Sequence, residues 1–359
     1  MPRQARIDAP GALHHIILRG IERTVIFSDD RDRENFLKRL SDLLTETQTP
    51  CYAWALMSNH VHLLLRTGEV AIASIMRRLL TGYAVSFNKR YRRYGHLFQN
   101  RYKSILCEEN RYLRQLVAYI HLNPLRAGTV ADVASLKDYP FTGHSALMGR
   151  AARPWQDTGY VLAVFGRSVS EARGNLQRHV VKWSNKGRCP ELTGGGLIRS
   201  AGGWSAVKQA YREGIRLASD ERLLGSSEFV ESTLKRAGEA YDRRMRLQSV
   251  GADLSELVDA VCHWLGIDEI ELARPIRRAG VTQARGLVGY LATRELSIPA
   301  SAVARRFNQD RSAVSRAALR VSRDEELLRA AEKILMQLES RINQRRNNVP
   351  QAGEERSGR

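Results

Sequence analysis

The stretch "MSNHVHLLL", residues 57–65, places two histidines one residue apart inside an otherwise apolar run. The preceding "YAWALM" (52–57) and the run "HVHLLLR" (60–66) have the composition of two strands joined by a tight turn at "SN". Because side chains alternate between faces along a strand, His60 and His62 project from the same face. Two imidazoles on one rigid face can hold a divalent metal ion, although two packed histidines in a half-buried strand would show the same pattern.

The segments around this hairpin predict an α+β domain that ends near residue 150. The predicted elements are a strand in "ALHHIILRG" (12–20), helices over 29–47 and 70–95, and a helix over 110–123 that Pro124 stops. The order of these elements is β-α-β-β-α, with a further strand near "YKSIL". This order predicts an antiparallel sheet with helices on one face.

The remaining chain predicts all-α regions, including a helix-turn-helix domain. The predicted domains are 1–150, 151–248, 249–325 and 326–359: an α+β domain, a mostly helical linker domain, a helix-turn-helix domain, and a helix with a disordered basic tail. We interpret the glycine-rich "LTGGGLIRSAGGW" (192–204) as a linker and not as a phosphate-binding loop, because no GK[ST] follows it.

The composition indicates a nucleic-acid-binding protein of the cytoplasm. The formal net charge of +19 favours a polyanionic partner, with nucleic acid first and an anionic membrane surface second. No apolar run is long enough to cross a membrane, and the N-terminus has no apolar segment of a secretory signal. The four cysteines form no CxxC pair, which fits a reducing compartment. We therefore expect a cytoplasmic, nucleoid-associated protein with no membrane partner.

The helix that ends at Pro124 supplies the residues that could complete a site with the two histidines. Tyr119 and Asn123 lie four residues apart and therefore share a helix face. Together with the histidines they provide two imidazoles, an amide oxygen and a phenol, which suit metal-assisted attack of a tyrosine on a phosphodiester. Such an open site favours Mg²⁺ or Mn²⁺ over a structural zinc. Taken alone, Tyr119 would be a core aromatic residue and Asn123 a helix C-terminal cap.

Four blocks of sequence resemble the single-tyrosine HUH transposase family, and within it the transposase-like proteins associated with repetitive extragenic palindromes. They are "HHIILRGIERTVIF" (14–27), "WALMSNHVHLLL" (54–65), "GHLFQNRYKS" (95–104) and "YLRQLVAYIHLNPLRAG" (112–128). The resemblance covers roughly residues 10–145.

This resemblance implies a ferredoxin-like core in which His60 and His62 are metal ligands and Tyr119 is the nucleophile. The tyrosine would leave a 5′-phosphotyrosine on single-stranded DNA and a free 3′-OH. Many members carry Gln where this chain has Asn123, whose side chain is one methylene shorter, so its role as third ligand is open. The implied activity is that of a metal-dependent single-strand DNA endonuclease and transesterase acting at palindromic repeats.

A basic interval between Glu69 and Glu108 predicts a surface for single strands or hairpins, because it holds no acidic residue. The predicted DNA contacts of this domain, which include the loop after the first strand, are Arg19, Arg23, Arg77, Arg78, Lys89, Arg90, Arg92, Arg93, Arg101 and Lys103. The interleaved aromatics, available for base stacking or for the core, are Tyr83, Phe87, Tyr91, Tyr94, Phe98 and Tyr102.

The segment 281–317 resembles the C-terminal DNA-binding domain of the replication initiator DnaA. Arg285, Tyr290 and Leu291 match its "ARxxxxYL" helix, whereas "NQDRSAV" replaces its usual "GRDHTTV", so no sequence preference carries over. The candidate DNA contacts are Arg285, Arg311, Ser312, Ser315 and Arg316. A small helical bundle for protein contacts is the alternative.

The expected partners are single-stranded or hairpin DNA with palindromic repeats, and duplex DNA through the C-terminal domain. The protein would act as a monomer or a homodimer. The main alternative is a non-catalytic DNA-binding regulator that retains the HUH fold. A structural nucleoid protein would account for the charge but would leave His60, His62 and Tyr119 unexplained.

Overall fold

The computed structural model describes residues 7, 11–68, 70–99, 101–186, 189, 192, 209, 213, 220–249, 252–276, 278–296 and 298–347. The chain divides into two compact units, Met1–Leu234 and Lys235–Arg359. The predicted domain boundaries at 150 and 248 do not coincide with this division. Almost all of the glycine-rich stretch 192–204, and the predicted tail beyond residue 347, lie outside the described residues.

The first unit is built on a five-stranded sheet in the order β2-β3-β1-β4-β5. The strands are β1 Leu13–Arg19, β2 Cys51–Leu56, β3 His60–Arg66, β4 Lys103–Cys107 and β5 Leu223–Leu224. β1 pairs antiparallel with β3 and β4, and β2 pairs antiparallel with β3, so these four strands form the predicted antiparallel sheet. β5 adds a parallel edge to β4 that the sequence did not predict, since two residues carry no periodicity.

The helices predicted around the sheet are confirmed within a few residues of their ends. The helices of the first unit are α1 Asp30–Thr47, α2 Ile72–Tyr91, α3 Glu109–His121, α4 Asn123–Arg126, α5 Gly143–Leu147, α6 Thr158–Ala163 and α7 Val169–Ser184. A further helix, α8 Ser227–Ser249, spans the division between the units. Asp29 caps α1 because its carboxylate accepts a hydrogen bond from the Asp32 backbone N–H.

Helices cover both faces of the sheet, so the prediction of helices on one face was wrong. Val61 and Leu63 of β3 share a core with α1 and α2, whereas Leu64 shares a core with Leu116 and Val117 of α3. The central strands carry apolar side chains on both faces of the sheet, which is the pattern of strands that are buried on both sides. The site residues depend on this arrangement, because α3 crosses the face from which His60 and His62 project.

The chain after residue 150 continues the core under α3. Val161, Leu162 and Phe165 from α6 and the turn that follows it are buried there, together with Leu176 and Val180 of α7. The first part of the predicted linker domain is therefore packed against the sheet domain. This packing holds α3 between the sheet on one side and α7 on the other.

The second unit is all-α, as predicted. Its helices are α9 Leu254–Leu265, α10 Glu269–Ala273, α11 Ala279–Arg294, α12 Ala300–Arg306, α13 Arg311–Ser322 and α14 Glu325–Asn347. α11 and α13 pack closely, since a Cβ at Gly286 would lie 3.0 Å from a Val321 methyl carbon. Ile334 and Leu335 of α14 are buried in the same core as Val288 of α11. No helix among the described residues is long and apolar enough to cross a bilayer.

Candidate active site

The two histidines of β3 face α3. His62 lies opposite Ile17 of β1, and His60 lies opposite Arg19 at the end of the same strand pair. The His62 side chain is buried, whereas His60 is half-buried at the edge of the face. Their ring centroids are 5.3 Å apart. Because alternate side chains of a strand point to the same face, β3 brings the two imidazoles next to each other.

Each imidazole is oriented through its Nδ1 atom. The Nδ1 of His60 lies 2.7 Å from the side-chain oxygen of Asn59. Because an amide oxygen only accepts, Nδ1 of His60 carries the proton and Nε2 keeps its lone pair. The Nδ1 of His62 lies 2.8 Å from Nε2 of His15. A hydrogen bond at Nδ1 is the usual way in which a protein orients a histidine that ligates metal through Nε2.

Burial keeps both imidazoles neutral. It lowers the pKa of His60 to about 4, with a smaller contribution from the positive charge of Arg19. Burial also holds the pKa of His62 well below its ordinary value, with the neighbouring His15 as the next cause. Neutral imidazole is the form that can bind a metal ion, and both side chains are in this form at pH 7.

His15 is the site residue that sequence reasoning missed. Its ring stacks on His62 with the centroids 5.1 Å apart and the planes 24° apart. The alternation along β1 places His15 on the same face as Arg19, and this much was readable from "ALHHIILRG". Its contact with His62 was not readable, because it depends on the register between β1 and β3.

Tyr119 approaches the histidines from α3. Its ring lies edge-on to His62 and to His15, with centroid distances of 5.9 Å and 6.0 Å. Burial raises the pKa of the Tyr119 phenol, and the positive charges of Arg126 and Arg19 oppose this rise. The phenol is therefore protonated at neutral pH.

Asn123 follows Tyr119 by one helical turn and caps α3. Its side-chain nitrogen donates to the backbone oxygens of Tyr119 and Ile120 at 2.9 Å and 3.1 Å. This is the capping role that the sequence left as an alternative. Both bonds use the amide nitrogen, so they do not consume the amide oxygen, which is the atom that would ligate a metal.

The donor set fits a divalent ion with open coordination positions. His60 and His62 would hold it through Nε2, and the Asn123 oxygen is the candidate third ligand. Within the residues that the structure describes, no three His, Cys, Asp or Glu side chains form a metal-binding group.

Two of the predicted DNA-binding arginines have acidic partners inside the protein. Arg78 forms two hydrogen bonds with Glu46, at 2.8 Å and 2.6 Å. Arg90 forms ion pairs with Asp29 and Asp32 at the start of α1. These contacts join α1 to α2, so both arginines contribute to the structure of the sheet domain.

Most aromatics of the basic interval belong to the core, as the alternative held. Tyr83, Phe87 and Tyr102 are buried, and the Tyr91 hydroxyl donates to Asp32. Tyr94 is 95% exposed and is the ring best placed for base stacking. Arg93 is half-buried over Phe87. Besides Arg78 and Arg90, which have acidic partners, the exposed cations among those predicted are Arg19, Arg23, Arg77, Lys89, Arg92, Arg101 and Lys103.

In the second unit, Arg285 also has partners within the protein. Its guanidinium donates to the backbone oxygens of Glu271, Leu272, Arg274 and Ile276. The remaining predicted contacts lie exposed on α13, and they are Arg311, Ser312, Ser315 and Arg316. α12 and α13 are joined by residues 307–310, the short turn expected of a helix-turn-helix.

Residues 10–123 match the model of a family described as "Transposase IS200 like". The match is under half of the chain, and it includes His60, His62, Tyr119 and Asn123. A solved structure described as "Structure of the REP associates tyrosine transposase bound to a REP hairpin" is similar to this chain at 17% identity with a TM-score of 0.35. It covers 44% of this chain and 90% of its own. No curated protein matches the sequence.

Proposed function

We propose that this protein is a transposase-like enzyme that cleaves and joins single-stranded DNA beside palindromic repeats. The observation that carries the proposal is the position of Tyr119, whose ring lies 5.9 Å from the ring of His62. His62 and His60 are held by Nδ1 contacts that leave Nε2 for a ligand. The match of residues 10–123 to the IS200-like transposase family supports the same activity.

The reaction would be a transesterification by Tyr119. Its phenolic oxygen attacks the phosphorus of a phosphodiester, and the bond from phosphorus to the 3′ oxygen breaks. The phenol gives up its proton to solvent and the departing 3′ oxygen takes one up, so the step is neutral overall. The products are a 5′-phosphotyrosine on the DNA and a free 3′-OH, and the reverse reaction joins a strand.

The protein's own residues position the reacting groups. Asn59 orients His60 and His15 orients His62, so the two imidazoles need no rearrangement to ligate an ion. Packing of α3 between the sheet and α7 fixes the direction from which Tyr119 attacks. When bound by His60, His62 and Asn123, Mg²⁺ or Mn²⁺ would neutralise charge that develops on the phosphate oxygens.

The exposed cations of the first unit would hold the single strand or hairpin, and the second unit would hold duplex DNA. The second role is supported by the short turn of residues 307–310 between α12 and α13, and by the exposure of Arg311, Ser312, Ser315 and Arg316 on α13. Arg and Ser near the start of such a helix suit phosphate and major-groove contacts.

Detection of a covalent protein–DNA adduct tests the proposal. The full chain is incubated with Mg²⁺ or Mn²⁺ and 3′-labelled single strands made from palindromes that flank its own gene, because the 3′ fragment is the one that stays on the tyrosine. Adducts are then resolved on a denaturing gel. The variants are Tyr119→Phe and His60→Ala. Their controls are Tyr112→Phe, which lies in the same helix, and His96→Ala, which is exposed.

A metal-dependent adduct that is lost in Tyr119→Phe and His60→Ala, and kept in both controls, is the expected result. Tight binding without an adduct from any of the palindromes would favour the non-catalytic regulator. An adduct that persists in Tyr119→Phe would refute the assignment of the nucleophile.

A further inference from the structure

The helix that carries Tyr119 also carries an arginine on the same face, which the sequence analysis did not consider. Tyr119, Asn123 and Arg126 stand at i, i+4 and i+7, and seven residues make nearly two full helical turns. The backbone stays helical through α4, where the Arg126 N–H donates to the Leu122 oxygen at 3.0 Å. Arg126 therefore follows Tyr119 along one face without an intervening loop.

The Arg126 side chain rests on the nucleophile. Its guanidinium carbon lies 5.1 Å from the centroid of the Tyr119 ring, which is the geometry of a cation–π contact. The residue is exposed, and it forms no ion pair within the described part of the chain. By contrast, Arg66 is paired with Glu109, and Arg114 donates to the Val164 oxygen. Arg126 thus keeps its hydrogen-bond donors available beside Tyr119.

Two arginines stand beside Tyr119 and the histidines. Arg19 lies opposite His60 in the β1–β3 pair, so one cation stands at the strand end and Arg126 stands on the helix. Arg19 and Arg126 therefore place two cations beside Tyr119 and the imidazoles, and such a pair of cations forms a site for an anion.

We propose that Arg126 is a catalytic residue that binds the non-bridging oxygens of the phosphodiester attacked by Tyr119. The proposal rests on the proposed transesterase function and names a residue of that same site. A guanidinium fork can donate two parallel hydrogen bonds to a phosphate, which fixes its orientation as well as its position. Because Arg126 and Tyr119 share one helix face, the nucleophile and the phosphate clamp are positioned by a single element. Charge that grows on the phosphate oxygens during attack strengthens the contact.

Single-turnover adduct formation with Arg126→Gln and Arg126→Lys is the first test. Loss of one preorganised donor should slow the glutamine variant about 100-fold, with the lysine variant intermediate. Binding of the same oligonucleotide at 0.2 M salt should change by less than about threefold, since many other cations hold the strand. Arg111→Gln is the matched control, because Arg111 lies on the same helix and stacks on Tyr112 at 5.5 Å. A rate for Arg126→Gln equal to that of Arg111→Gln overturns the proposal, as does a loss that lies wholly in DNA binding.

A second measurement keeps the proposal testable if no cleavage is seen. In a Tyr119→Phe background, the salt dependence of single-strand binding is compared with and without Arg126→Gln. Loss of one phosphate contact should reduce the slope of log affinity against log salt by about 0.7, while Arg111→Gln leaves it unchanged. An unchanged slope for Arg126→Gln overturns the phosphate site. A reduced slope, with no adduct from the wild-type protein, would retain the phosphate site and refute the transesterase.

Discussion

The arginines on α2 and the arginines beside Tyr119 lie on opposite faces of the same sheet and have different surroundings. Arg90 of α2 lies between Asp29 and Asp32, two carboxylates from the start of α1. Arg126 lies on an aromatic ring with no ion pair among the described residues. In the sequence, Arg90 belongs to a basic run without acids and Arg126 stands in isolation. A basic run therefore does not by itself show which of its cations are available for a ligand, because the acidic partners come from another part of the chain.

The strongest test of this comparison is to remove the positive charge at Arg90 in one variant and at Arg126 in another. Arg90→Gln leaves the buried Asp32 carboxylate without its cation, so we expect the melting temperature to fall by roughly 5 °C. Adduct formation per folded molecule should be unchanged. Arg126→Gln should show the reverse, with an unchanged melting temperature and slow adduct formation.

Thermal unfolding and single-turnover assays on both variants make this measurement, with Lys89→Gln as the exposed neighbour control for the melting temperature. If Arg90→Gln kept its melting temperature and lost activity, Arg90 would belong to the DNA-binding surface and the comparison would fail.

The same two faces should lose stability in different pH ranges. Burial lowers the pKa of His144, which packs against His121 behind α3, to about 4 from its ordinary 6.5. Between these pH values His144 is protonated in the unfolded chain and neutral in the folded chain. Its contribution to stability is therefore fully present above pH 6.5 and is lost as the pH falls to 4. The His144 contribution to this loss is about 3 kcal/mol, at 1.36 kcal/mol for each unit of pKa.

On the α1–α2 face, the hydrogen bond from Arg90 lowers the pKa of Asp29 to about 2 from 3.8. That contribution is present above pH 3.8 and is lost only as the pH falls to 2. Denaturant unfolding across pH 3–8 tests the difference. His144→Gln should make the curve less steep between pH 4 and 6.5, because the other buried histidines still contribute there, whereas the exposed His96→Gln should leave it unchanged. A wild-type curve that is flat over this interval would contradict burial of a neutral His144.

In the second unit, Arg285 and Arg316 offer the same comparison between an arginine with partners inside the protein and an exposed one, with smaller expected effects. Arg285 donates to four backbone oxygens, so Arg285→Gln should destabilise this unit by about 2 kcal/mol. Arg316 is exposed on α13, and Arg316→Gln should change stability by less than about 0.5 kcal/mol. It should instead weaken duplex binding a few-fold and reduce the salt slope by about 0.9.

Chemical unfolding and fluorescence anisotropy with a labelled duplex separate these effects. Duplex binding that is unaffected by both Arg311→Gln and Arg316→Gln would remove the support for α13 as a DNA-binding helix. A small helical bundle for protein contacts would then be the better interpretation of the second unit.

Element order and helix bounds were predictable because they follow from local periodicity. The cap at Asp29, the hairpin at residues 57–59 and the end of α3 before Pro124 are signals contained within a few residues, although the backbone resumes a helix in α4. β5 was not predictable because two residues carry no periodicity, and the position of α3 on the second face was not predictable because a helical repeat does not show which face of a sheet the helix covers. The central strands did indicate that both faces of the sheet are covered, because they carry apolar side chains on both faces.

The sequence by itself determined which side chains share a face. His60 and His62 alternate along β3, and Tyr119, Asn123 and Arg126 follow the helical repeat, because backbone geometry sets both periods. The tertiary structure alone decided which faces meet. The 2.8 Å contact between His15 and His62 depends on strand register. The pairing of Arg90 with Asp32 depends on how α1 packs against α2. Packing between distant segments is selected by burial over the whole core, and no short stretch of sequence encodes it.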